Sequence, residues 1–167
     1  MLSSLLKLNK LLVKLLEITV ILVIGFLVID VLLGIFLHVL KKPSTWTSEL
    51  ATMLLIWVSL LGAAIGFIRG SHLGVDYFVT KLSLKKQVIN QIIVYILIAL
   101  FASFVMIYGG IRFVSLILTH GQVSPALQIK MGYVFLAVPI SGFFILVFAI
   151  ETIVKNVFNL LNKSNNK

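Results

Sequence analysis

The chain has 167 residues, 60% of them hydrophobic and only 11% charged, with a net charge of +9 and no cysteine. Soluble domains carry about 25% charged residues, so this composition cannot build a water-facing surface and excludes a soluble globular protein. The absence of cysteine excludes disulfides, thiolate catalysis and zinc–thiolate sites.

An all-α integral membrane protein is expected, a single domain over residues 1–167, because a lipid-embedded backbone must satisfy its own polar groups. Four apolar stretches, 18–37, 50–68, 88–111 and 131–150, are each long enough to cross a hydrocarbon core of about 30 Å. Four crossings put both termini on one side.

Residues 1–17 place Ser3, Lys7, Lys10, Lys14 and Glu17 at steps of three and four among leucines. That spacing predicts an amphipathic helix over about 2–15, lying along the membrane surface with its lysines near anionic lipid phosphates. The alternative is that this arm simply extends the first span. The first apolar run is longer than a signal-peptide core and lacks a small-residue exit, so it is expected to remain as a helix.

Asp30 is the acidic residue well inside a span. Its insertion penalty of roughly 2.5–3.5 kcal/mol is offset by the apolar residues around it. An intramembrane carboxylate points either to an ion or proton pathway or to a polar contact with a neighbouring helix, and the contact is favoured.

Between Trp46 and Asp76 the chain reads WTSELATMLLIWVSLLGAAIGFIRGSHLGVD. Glu49 stands at the entrance of the second span, and Arg69, His72 and Asp76 stand at its exit. Gly62 and Gly66 form a GxxxG face on which another helix, of this chain or another, can approach closely. Past the span, His72, Asp76, Thr80 and Ser83 repeat at helical spacing, predicting a second interfacial helix over about 73–84. His72 and Asp76 would share one face, as a catalytic dyad, part of a metal site, or a structural pair. Zinc needs three or four ligands and no third is near in sequence, so structural pairing or subunit contact is preferred.

Arg112, at the end of the third span, lies at about the depth of Glu49, and a Glu49–Arg112 contact is expected. Counted at roughly 1.5 Å per residue, it is more than a helical turn out of register with Asp30. The third loop is punctuated by Gly121 and Pro125, and Pro139 is expected to kink the fourth span. Trp46 and Tyr133 fit an interfacial aromatic belt.

Ten of the fourteen Lys and Arg residues fall in the arm, the second loop and the tail. By the positive-inside bias both termini are expected in the cytoplasm. The positive charge then serves topology and attraction to anionic headgroups. Nucleic-acid binding is not expected, because no basic face with interleaved exposed aromatics is present.

Five segments carry a further implication in their order: Trp46-x-x-Glu49-Leu50, Trp57-x-x-x-x-Gly62, His72-x-x-x-Asp76, Ser124-Pro125-Ala126-Leu127 with Tyr133, and Ala137-x-Pro139. Together they resemble the small membrane subunit of tripartite ATP-independent periplasmic (TRAP) transporters, the DctQ-like family. Two positions depart from the family pattern: Leu37 beside His38 where an Arg is common, and Lys130 where a Pro is common. The resemblance implies a bacterial inner-membrane subunit that associates with a large permease carrying the sodium-coupled path. It also implies a separate periplasmic substrate-binding protein, and an organic acid as substrate. It implies no catalytic residues, no metal and no cofactor in this chain.

The residues themselves favour an accessory role, since four short spans with one internal carboxylate offer little of the discontinuous midplane architecture that transporters use. Trp46, Glu49, Gly62, Gly66, Arg69, His72, Asp76, Arg112, Pro125 and Pro139 are the candidate interface or structural positions. The alternative is a small homo-oligomeric membrane channel built around Asp30 and the glycine face. An enzyme is not expected, because His38 and His120 fall on the side opposite His72 and no catalytic set converges.

Overall fold

The computed structural model describes residues 2–42, 44–69 and 84–165. Its elements are α1 (Leu2–Val39), α2 (Thr45–Ile68), α3 (Leu84–Phe101), a π-helical segment (Ala102–Gly109), α4 (Gly110–Thr119), α5 (Met131–Phe135) and α6 (Ala137–Asn165). Four stretches are long and apolar enough to cross a membrane: Leu11–Val39, Thr45–Ile68, Gln87–Thr119 and Met131–Phe158. Among the described residues the sole β-type pairing is an isolated bridge between Val123 and Lys130.

The helices stand in a row rather than a closed ring. The chief packed pairs are α1 on α2, α2 on α6, and α6 on α3 and the π segment. The spans therefore follow the order first, second, fourth, third. α1 presents one face to α2 through Leu16, Val20, Val23, Leu27, Asp30, Gly34 and Leu37, alternating steps of four and three. That repeat keeps one seam in contact along an antiparallel pair. Its other faces, including Ile21, Phe26, Ile29, Leu32 and Phe36, are exposed. In lipid such exposure carries no hydrophobic cost.

At the Arg69 end, Leu16 and Val20 of α1 meet Leu61 and Ala64 of α2, with Phe144 and Ile145 of α6 against them. Phe67 stands edge-on to both Tyr95 of α3, with centroids 5.6 Å apart, and Phe148 of α6, at 5.9 Å. The ring thus ties three spans together. Arg69, which caps α2, donates from Nε and Nη2 to Glu17 Oε1 at 3.1 and 2.8 Å, joining α1 to α2 on the same side.

One expectation needs correction. The arm at residues 2–15 is no separate surface element, because α1 runs unbroken for 38 residues, about 57 Å. Residues 12–17 lack any helix-breaking residue, so nothing turns the chain before the span. The fourth span is broken just before Pro139, where a proline ring displaces the preceding turn. The break falls at Leu136, between α5 and α6, and Pro139 sits in the first turn of α6, where a missing N–H costs nothing. A Cβ added to Gly62 or Gly66 meets no atom within 4 Å among the described residues, so of the two neighbours expected for this face a helix of this chain is not the one found, and a helix of another protein stays open.

Close approach occurs at other glycines. A Cβ on Gly142 of α6 would lie 2.6 Å from Met106 Cβ in the π segment, and one on Gly110 would lie 3.1 Å from Pro139 Cδ. The fourth span is thereby seated directly on the irregular turn of the third. A π segment frees backbone groups from the i→i−4 ladder, and the tight contact from α6 holds it in place.

α1 and α4 end in the same way. Lys41 N–H donates to His38 O and Lys42 N–H to Leu37 O; Gly121 N–H donates to Leu118 O and Gln122 N–H to Ile117 O. Each is a paired 5→2 and 6→1 closure around a left-handed residue, Lys41 at φ 56° and Gly121 at φ 64°. Glycine takes that conformation freely and lysine does not. Lys41→Gly is therefore expected to stabilise the protein by about 1 kcal/mol, read as a rise in thermal midpoint in detergent; an unchanged or lower midpoint contradicts the strain at this turn.

Candidate functional site: Glu49 and the loop after the third span

The loop between α4 and α5 is closed by its own backbone. Met131 N–H donates to Gln122 O at 2.9 Å and Ser124 N–H to Ile129 O at 2.9 Å. Within it, Gln128 N–H donates to Ser124 O at 3.1 Å, making a single helical turn of Ser124–Gln128, and Gln128 Nε2 donates to Pro125 O at 3.0 Å. Such a turn leaves its first amides without internal partners. Pro125 has no N–H to orphan, which leaves Ala126 and Leu127.

Glu49 takes both. Ala126 N–H lies 2.9 Å from Glu49 Oε1 and 3.1 Å from Oε2, and Leu127 N–H lies 3.1 Å from Oε2. The geometry is that of an anion at a helix N-terminus, built here from a side chain 77 residues away in sequence. Charge-assisted bonds of this kind are stronger than neutral ones and fix direction as well as distance. Glu49 thus clamps the start of α2 to the loop that precedes the fourth span.

The expected Glu49–Arg112 contact is not formed. The carboxylate is engaged by amides, and Arg112 stands on an exposed face of α4. α4 continues to Thr119, so Arg112 is well over a turn short of the loop rather than at its edge. Trp46 and Tyr133 are exposed on the same side. Pro125 is exposed at the tip of the turn, while Ser124 beneath it is buried. His72 and Asp76 lie outside the described residues, as does the interfacial helix expected over 73–84.

Asp30 occupies a second site on the α1–α2 seam. It is 6% exposed, and neither carboxylate oxygen has a hydrogen-bond partner. It lines a groove of about 380 Å³ together with Gly34, His38, Ser44, Thr47 and Ala51. The Ser44 hydroxyl is also buried and unpartnered. Among the described residues no group of three His, Cys, Asp or Glu side chains is placed to hold a metal ion.

These features are those of a membrane subunit organised by packing and by one cross-linked loop. The profile of the family "Tripartite ATP-independent periplasmic transporters, DctQ component" matches residues 23–159. The chain belongs to this family. Its members are transporter components, not enzymes, and with four apolar spans this member is a multi-pass inner-membrane protein.

Three relatives are similar over parts of the chain. The isethionate TRAP transporter permease protein DctMQ of Oleidesulfovibrio alaskensis is 30% identical over 122 residues, 73% of this chain and 19% of that protein. The C4-dicarboxylate TRAP transporter small permease protein DctQ of Rhodobacter capsulatus is 30% identical over 97 residues, 58% of this chain and 42% of the relative. The sialic acid TRAP transporter small permease protein SiaQ of Vibrio cholerae is 40% identical over 48 residues, 29% of this chain and 28% of the relative. The aligned part is less than half the length of each of these proteins.

Sequence reasoning singled out Glu49 and the Ser-Pro-Ala-Leu segment separately and did not join them. Amide donors carry no side-chain signature. The available signal was Pro125 followed by Ala126 and Leu127, a helix-start pattern in a loop too short for a helix. The Glu17–Arg69 pair was equally hidden, since Glu17 read as one position of the arm's polar stripe.

Proposed function

We propose that this chain is the small permease subunit of a TRAP transporter and acts as a scaffold for a large permease subunit that carries the sodium-coupled path. The observation that supports this reading best is the open row of spans. α1 leaves most of its apolar surface uncovered, and so does the third span, through Phe101, Phe104, Tyr108 and Ile111. A row offers lateral faces to a larger partner and encloses no central passage of its own.

In this reading both termini are cytoplasmic, the basic arm and tail meet anionic headgroups, and the Glu49 end faces the periplasm. The clamped loop then presents Pro125, Ala126 and Gln128 to a periplasmic substrate-binding protein. The relatives are named for isethionate, C4-dicarboxylates and sialic acid. Organic acids are the corresponding substrate class here, with selection left to the partners.

Reconstitution tests the reading directly. The purified chain in liposomes is expected to move no organic acid, with or without a sodium gradient, and to do so only with a large permease and a binding protein present. Sodium-dependent uptake by the small chain alone would overturn the scaffold.

A further inference from the structure

We propose that the Asp30 groove is a socket for a lysine or arginine side chain from a transmembrane helix of the partner permease. The inference deepens the scaffold reading and rests on it. It starts from an electrostatic imbalance in the α1–α2 seam. Both Asp30 oxygens and the Ser44 hydroxyl are buried without partners, and both residues line the same groove. A carboxylate in that state is costly unless a donor or cation reaches it.

No cation among the described residues engages Asp30: His38 lines the same groove and Lys41 and Lys42 follow at the end of α1, yet neither carboxylate oxygen has a hydrogen-bond partner, and Lys14 stands exposed on α1. Arg69 is bonded to Glu17 and Lys155 to Glu151. Arg112 and Lys130 are exposed and belong to the third span and the loop after it, which are not chief packing partners of α1. Protonation alone does not resolve the imbalance. A neutral Asp30 carboxyl would be less costly to bury but would still leave its carbonyl oxygen without a donor.

Size selects among the remaining occupants. A volume of about 380 Å³ is many times the 10–15 Å³ that one small probe-sized occupant requires, so a single bare ion would leave most of the groove empty. The long stem and charged head of a lysine or arginine fit better. The stem lies along Ala51, whose small side chain leaves room, and the head reaches the carboxylate. A guanidinium or ammonium supplies enough N–H donors for both carboxylate oxygens. The groove is partly open, and α1 packs chiefly on α2, which leaves the groove's α1 edge free for a partner helix.

The test uses this chain co-expressed with its large permease, purified through a tag on the permease. Wild-type co-purification checks the scaffold reading; the next two measurements check the socket. Asp30→Asn, which keeps the shape and removes the charge, is expected to lower recovery of the complex by about ten-fold or more. Circular dichroism and gel filtration of the isolated variant establish that it is folded. If it is not, the second measurement decides alone.

That measurement uses Ala51→Cys, clean because the chain has no other cysteine. In the isolated subunit a small cationic thiol reagent is expected to modify Cys at this position quickly, followed by the mass of this subunit. In the complex the rate is expected to fall by about ten-fold or more, as the seated side chain excludes the reagent. Full recovery of the complex with folded Asp30→Asn would overturn the socket and leave Asp30 neutral or hydrated. Equal labelling of the free and assembled Ala51→Cys subunit would overturn it as well.

Discussion

Replacing Gly142 with valine is expected to detach the third span from the fourth. Even the first added carbon would sit 2.6 Å from Met106 Cβ, and that atom is fixed to the backbone of the π segment, so it has no rotamer by which to retreat. Ala102 O lies 3.5 Å from the same point. The backbones must separate, and with them goes the contact that seats the irregular turn. Overpacking at a tight contact costs about 1–3 kcal/mol, and valine adds two further methyls to a clash that alanine already makes. The expected readout is a marked loss of thermal midpoint in detergent. Gly142→Ala should fall between wild type and valine. A valine variant as stable as wild type would show that the spans are not held at this distance.

The same substitution separates two kinds of glycine. Gly62→Ala and Gly66→Ala add carbons that meet nothing within 4 Å among the described residues and are expected to leave the isolated chain's midpoint unchanged. The contrast between GAAIG and the isolated Gly142 is the check.

The second large effect is functional. Glu49→Ala is expected to release the Ser124–Gln128 turn and to abolish binding-protein-dependent uptake while the small and large subunits still co-purify. Removing the carboxylate strips three hydrogen bonds from two amides that have no other acceptor within the loop. Hydrogen exchange gives the direct measure: the Ala126 and Leu127 amides should exchange faster by at least an order of magnitude, because protection then depends on the turn alone. Glu49→Gln should fall between, since it keeps one acceptor oxygen but replaces the other with an NH2 donor and loses the charge. Unchanged protection in Glu49→Ala would remove the clamp from the account. Lost co-purification would place Glu49 at the permease contact instead.

Charge and its absence were what the amino-acid sequence expressed most clearly. The four apolar runs mark the spans because an ionised side chain in lipid is costly, and two of the DctQ-like segments, those of Glu49 and of Ser124–Leu127, meet in the fold. What stayed hidden follows from the same emphasis. Arg112 was paired with Glu49 because cations are the visible partners of carboxylates, whereas the partners are main-chain amides freed by a proline. The polar stripe of the arm read as a surface helix because amphipathicity reports which side of a helix is wet, not whether the helix bends.

Glycine gave the opposite difficulty. GAAIG stands out by its spacing, yet close approach depends on which face meets a neighbour, and Gly142 carries no local pattern that reveals its contact with Met106. Asp30 was recognised as unusual for its depth. Its orphaned oxygens could be seen only once α1 and α2 were set side by side.

α1 has a mechanical consequence. It is a rod of about 57 Å, roughly twice the thickness of the hydrocarbon it crosses, and it is joined to α2 by an ion pair at Glu17, about 22 Å from its start, and by a tight turn at its end. Such a rod answers a thinner bilayer by leaning further, not by shortening. Because Asp30 sits on it between those two fastenings, the inclination of α1 sets the angle at which the groove meets whatever helix lies alongside. Lipid thickness thereby becomes a variable of assembly.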